Sequence, residues 1–137
     1  LKLLKSGGKV VIEVPNFNSW TRKLTNKYWL GLDLCYHICF FTPETLLSLL
    51  KKHSFRVRTV HTFSLEYSTF ISAQSIISLI TKTDHLFFNN LQTAGISFVG
   101  LCHTFLFILL TPLCFLINLA LYFSKRGEVL LVVAEKS

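Results

Sequence analysis

His37 and Asp33 stand four residues apart in an aromatic-rich stretch, and of this 137-residue chain they are the pair best suited to moving a proton. An imidazole titrates near neutral pH and can take a proton from a reacting hydroxyl. His37 is therefore a candidate general base or acceptor contact, the other reading being a hydrogen bond that anchors its loop. Asp33 could orient His37 or cap a turn, with the structural role favoured. Asn16 follows a β-branched run that stops at Pro15. Ligands of open α/β sheets sit beyond the carboxyl ends of strands, so Asn16 could face a substrate. It would serve equally well as a turn residue capping the next helix. Trp20 and Trp29 offer large rigid surfaces for the wall of an apolar pocket or for plain packing.

Metal chemistry finds less support. Cys35 and Cys39 flank His37 at a spacing unlike that of a zinc knuckle, and Cys102 and Cys114 lie in an uncharged stretch. Reduced thiols are expected, with no metal site. His53, His61, His85 and His103 have no convergent partners in the sequence and receive no role.

The elements that would position these residues can be read in order. Residues 5–8 (KSGG) signal a turn, and residues 9–14 (KVVIEV) form an apolar, β-branched run expected to be an interior strand of a mainly parallel sheet. A short helix is expected over 19–25, followed by a structured loop. Thr42-Pro43-Glu44 supplies an N-cap, a proline at the first helical position and an acid in the first turn, and Lys51, Lys52 and His53 put positive charge at the helix end. Residues 55–63 (FRVRTVHTF) alternate and predict a strand near a sheet edge. A helix is expected over 66–81 with Phe70, Ala73, Ile77 and Ile80 on one side. Residues 96–123 are almost wholly apolar, and Pro112 is expected to divide them into two arms. Residues 128–135 (EVLLVVAE) predict a closing strand.

Two ordered segments carry a family resemblance. Leu3-Leu4-Lys5-Ser6-Gly7-Gly8-Lys9-Val10-Val11-Ile12-Glu13-Val14-Pro15-Asn16 resembles the segment that leads into the fifth strand of class I S-adenosylmethionine-dependent methyltransferases, with Ser6 where proline is usual. Trp29-Leu30-Gly31-Leu32-Asp33, then His37, then Phe41-Thr42-Pro43-Glu44-Thr45-Leu46 is similar to the W-x-G-h-D, H, F-[ST]-P-E-T-L pattern of one bacterial subgroup. The resemblance covers residues 1–63 and, more loosely, 128–136. It implies an α/β fold, the C-terminal half of a Rossmann-like sheet, in which the three strands are the fifth, sixth and seventh and the seventh lies between the other two. It also implies that the segment around His37 covers an acceptor pocket.

The family holds S-adenosylmethionine on a glycine-rich turn after the first strand and an acid ending the second. Gly7-Gly8 precedes a strand, so it is a turn and no cofactor cradle. The start at Leu1 and the lack of any methionine suggest a truncated N-terminus, so the fragment alone is not expected to bind S-adenosylmethionine productively.

Composition points to a membrane. Hydrophobic residues make up 51% and charged ones 15%, against roughly 25% charged in an average soluble domain. The net charge of +7 is scattered without a stripe, which argues against nucleic acid, whereas Lys82, Lys125 and Arg126 bracket the apolar part as cations near anionic lipid would. The expected division is residues 1–83 and 127–137 as methyltransferase domain and 84–126 as an apolar helical insert. Because the closing strand must rejoin the sheet of residues 9–14, the insert is expected to be a membrane hairpin broken near Pro112 or interfacial helices, on the cytoplasmic face. A soluble helical lid is the alternative. The acceptor is then a small molecule or lipid-linked, such as a polyprenyl-bound sugar or a quinone precursor. The rival reading is a non-catalytic membrane-anchored interaction protein.

Overall fold

The structure, a computed structural model, describes residues 4–34, 37–83 and 98–137. It is a mixed α/β arrangement with three strands and four α-helices among those residues. In chain order these are β1 (Lys9–Pro15), α1 (Trp20–Thr25), a 3-10 turn (Asn26–Tyr28), α2 (Pro43–Lys52), β2 (Phe55–His61), α3 (Ser68–Thr81), α4 (Phe98–Phe123) and β3 (Val129–Lys136).

The sheet runs β1-β3-β2, and β3 is antiparallel to both neighbours. β1 and β2 are therefore parallel to each other with the last strand between them. Because side chains alternate along a strand, Val10, Ile12 and Val14 share a face with Leu130, Val132 and Ala134, their register partners on β3. α2 lays Leu46 and Leu50 on that face and completes the core. Residue 42 does the work its type predicts. The Thr42 side chain accepts from the Thr45 N–H, the Thr45 hydroxyl accepts from the Thr42 N–H, and Pro43 occupies the first turn, where its missing N–H costs nothing.

One expectation for β1 is corrected. Among the described residues it is an edge strand paired only with antiparallel β3, and its burial alternates instead of being continuous; Val11 is 64% exposed. Its apolar run reflects one core face and one bare face, a pattern that a continuous apolar sequence hides. In α3, Ala73 and Ile77 are buried as expected, but Ile80 points outward and the rest of the buried set is Ser68, Thr69, Ser72, Gln74, Ser75 and Ser78.

The expected break at Pro112 is also absent. α4 is one continuous helix from Phe98 to Phe123, about 39 Å long at 1.5 Å per residue. Proline removes only one backbone donor, the one that would reach the Ile108 carbonyl, and the helix runs on through it. No turn exists there on which a hairpin could fold back. A second arm before Phe98 would lie outside the described residues.

Candidate functional site

The end of β1, the start of β3 and helices α1 and α3 meet at a buried polar junction. Its centre is Glu128, which is fully buried. Asn16 fixes the geometry from one side: its N–H donates to the Glu128 carbonyl at 2.8 Å and its Nδ2 to the Gly127 carbonyl at 2.7 Å, while its Oδ1 accepts from the Asn18 N–H. Gly127 is required here, because a Cβ would lie 1.8 Å from the Thr62 carbonyl oxygen. Trp29, at 0% exposure, donates its indole N–H to Glu128 Oε2 at 2.9 Å.

Burial pushes the Glu128 carboxyl above the ordinary carboxylate range, and Thr21, Trp29, Ser72 and Ser19 partly hold it down. The three hydroxyls stand close, yet none completes a hydrogen bond of ordinary geometry to Oε1. The polar chain continues from the Thr21 and Ser72 hydroxyls, 3.2 Å apart, to Asn118 of α4, whose Nδ2 donates to Ser72 Oγ at 2.8 Å and to the Cys114 carbonyl at 2.9 Å. This junction ties α4 to the sheet.

A separate cleft of about 310 Å³ lies at the carboxyl end of β1, lined by Glu13, Val14, Pro15, His37, Tyr67, Ile71 and Val129. The His37 N–H donates to the Asp33 carbonyl at 2.9 Å, and its ring lies 6.2 Å from that of Phe40. Its Nδ1 is buried with no hydrogen-bond partner. The neighbouring chain is pinned beside β1 by a parallel bridge between Asn16 and Phe41 and by the Phe17 N–H donating to the Phe41 carbonyl.

The candidates therefore separate. His37 lines the cleft at the strand end. Asp33 contributes the carbonyl that holds the His37 backbone. Asn16 is fully buried and spends its side chain on the chain itself, so it does not face a substrate. Trp29 is interior and Trp20 starts α1 with its N–H on the Arg126 carbonyl; neither lines the cleft. Sequence reasoning missed Glu128. The signal was a lone acid between Gly127 and the apolar run 129–134, where a strand start is already buried.

Among the described residues no glycine stands in a turn directly after a strand. Gly8, Gly31 and Gly127 are each backed by their own neighbours, Leu4 and Lys5, Trp29, and Thr62, within 3 Å of where a Cβ would stand. Gly7 has open space but turns the chain into β1 at φ +76°, its N–H on the Lys136 carbonyl. No cluster of three metal-ligating side chains occurs among the described residues, and Cys35 lies outside them.

α4 has an inverted character. Gly100, His103, Cys114 and Asn118 are its buried residues, whereas Phe98, Leu101, Phe105, Ile108, Leu109, Leu113, Leu116, Leu119 and Phe123 are exposed in one stripe at helical spacing. Comparison with protein-family models, with curated proteins and with solved structures finds no match.

Proposed function

We infer that the chain is the acceptor-side part of a class I S-adenosylmethionine-dependent methyltransferase, attached to a membrane through α4 and acting on a small or lipid-linked acceptor. The observation that carries this reading is the strand order: β3 antiparallel between two mutually parallel strands is the arrangement that the resemblance of residues 1–63 implies for strands five, seven and six. His37 adds to it, since it lines the cleft beyond the end of β1, where an imidazole could take an acceptor proton. The methyl donor would be held by residues other than those described.

Membrane attachment rests on the exposed apolar stripe of α4. The helix is long enough for a hydrocarbon core of about 30 Å, but crossing is disfavoured by its connections. Lys82, at the end of α3, has its ammonium over the Tyr28 ring, and β3 begins soon after α4 ends. Both flanks of the insert are thus tied to the sheet side. α4 lying in the interface on the cytoplasmic side, its polar face on the protein and its apolar face in lipid, satisfies these constraints.

The test is methyl transfer from radiolabelled S-adenosylmethionine to a membrane lipid extract by the protein expressed with its upstream reading frame. Label is expected in the organic phase. An upstream frame without a strand followed by a glycine-rich turn would overturn the enzyme reading. It would favour a non-catalytic membrane-anchored interaction protein, which the α4 stripe alone also supports.

A further inference from the structure

A second cleft lies apart from both the His37 cleft and the Glu128 junction. It holds about 750 Å³, within the range of roughly 300 to 1,000 Å³ of small-molecule pockets. One wall is Leu65, Glu66, Thr69 and Phe70 at the start of α3; the other is α4 around Phe107, Thr111 and Phe115. Phe70 and Phe107 meet with ring centroids 5.4 Å apart.

Three features restrict what can occupy it. Nearly all of its lining is apolar, and its α4 wall includes Ile108 and Leu116 of the exposed stripe, so an apolar chain can enter from lipid. Thr69 is 8% exposed, and its hydroxyl has no hydrogen-bond partner. A buried hydroxyl without a partner costs free energy that a ligand could recover. The only charged side chain on the wall is the carboxylate of Glu66, which disfavours an anionic head. The Thr111 hydroxyl is already committed to the Phe107 carbonyl.

We propose that this cleft binds a long-chain lipid alcohol or phenol, its isoprenoid or alkyl chain along α4 and its uncharged hydroxyl at Thr69 and Glu66. A phosphate-linked lipid does not fit, which narrows the lipid-linked acceptor. The first turn of α3 separates the two clefts, with Thr69 and Phe70 facing this one and Tyr67 and Ile71 facing that of His37. The head group would thus lie across the first turn of α3 from the candidate base. The cleft's use rests on the contact of α4 with the bilayer proposed above and does not require methyl transfer.

The experiment uses the full chain in phosphatidylcholine vesicles, a diazirine-bearing hexadecanol as photoprobe, and geranylgeraniol or geranylgeranyl phosphate as competitor. Labelled peptides are expected to centre on residues 65–70 and 107–116, with the alcohol competing at least about tenfold better than its phosphate. Thr69→Val should weaken competition roughly five- to tenfold without lowering resistance to urea, and Thr69→Ser should retain it. Glu66→Gln should narrow the gap between alcohol and phosphate. Label spread along the whole α4 stripe, equal competition by the phosphate, or full competition in Thr69→Val would each overturn the proposal. Focused labelling without methyl transfer would remove only the enzyme reading, and methyl transfer with scattered labelling would remove only the cleft.

Discussion

Replacing Trp29 with phenylalanine takes away the indole N–H that reaches Glu128 Oε2 at 2.9 Å, where both residues are fully buried. Oε1 has no hydrogen bond of ordinary geometry, so the variant leaves the whole carboxylate without one. A hydrogen bond to a charged group contributes about 1.5–3 kcal/mol, and trimming a buried indole to a phenyl adds roughly 1 kcal/mol of lost packing. The expected cost is thus about 2.5–4 kcal/mol when Glu128 is ionised. The pH dependence carries the sign. Burial raises the folded-state pKa of Glu128 above its unfolded value, so the folded state binds the proton more tightly. Stability therefore falls as pH rises from the unfolded carboxylate value, roughly 4.3, through the raised folded value, and the full penalty applies above it. Trp29→Phe should deepen this fall, costing more at about pH 8 than at about pH 4. In a Glu128→Gln background the pH slope should flatten and the Trp29→Phe cost should shrink, because the buried charge is gone. Urea denaturation followed by the fluorescence of Trp20, the tryptophan that remains, reads all four corners of this double-mutant cycle. A Trp29→Phe cost that is the same at both pH values and in both backgrounds would refute the claim that the indole supports a buried carboxylate.

Three further outcomes are expected. Gly127→Ala should lose about 3 kcal/mol or more, since its Cβ would overlap the Thr62 carbonyl; urea midpoints measure this, and a neutral result would mean that the link into β3 is looser than described. Leu109→Lys and Leu113→Lys, both on the exposed stripe of α4, should shift the chain from the vesicle pellet to the supernatant in co-sedimentation. If the stripe instead meets another protein surface, lysine should disrupt that association and leave sedimentation with vesicles unchanged. His37→Gln in the protein expressed with its upstream frame should lower methyl transfer by roughly 10²- to 10⁴-fold while leaving the unfolding midpoint within about 0.5 kcal/mol; loss of stability without loss of rate would assign His37 to its loop.

The elements legible in the sequence are those whose signals are local. Thr42-Pro43-Glu44 states a helix start through groups within four residues of one another, and the structure bears it out hydrogen bond by hydrogen bond. The alternation of residues 55–63 gives an edge strand because one wet face shows directly in the pattern. The apolar run 128–135 signalled a closing strand, and its place between the other two, which only the family resemblance implied, is the order observed. The site was harder to read. His37, singled out by its type, lines the cleft at the end of β1. Asn16, read equally as a substrate contact or a turn residue, is buried in the turn role, and its long-range bonds to the Gly127 and Glu128 carbonyls, more than a hundred residues away, had no local signal.

Glu128 marks the limit of such reading, and α4 explains why. An apolar run announces burial or lipid, but it does not say which side faces which. The answer came from the minority residues: Asn118 and His103 are inward and the leucines and phenylalanines outward, with Ser68 and Ser72 of α3 supplying the facing carbonyl and hydroxyl. Small and polar residues at a helix contact, with apolar ones on the outside, are the packing expected where the surroundings are lipid. Glu128 lies where that polar contact runs on into the sheet. An isolated acid before an apolar strand is an anomaly by local rules, and it makes sense only once Trp29, Ser19, Thr21 and Ser72 are brought round it from three separate parts of the chain. The residues that looked least consistent with their own segments are thus those that join the segments. In a chain this apolar, a lone polar residue in an otherwise uniform run is the better guide to tertiary contacts than the run itself.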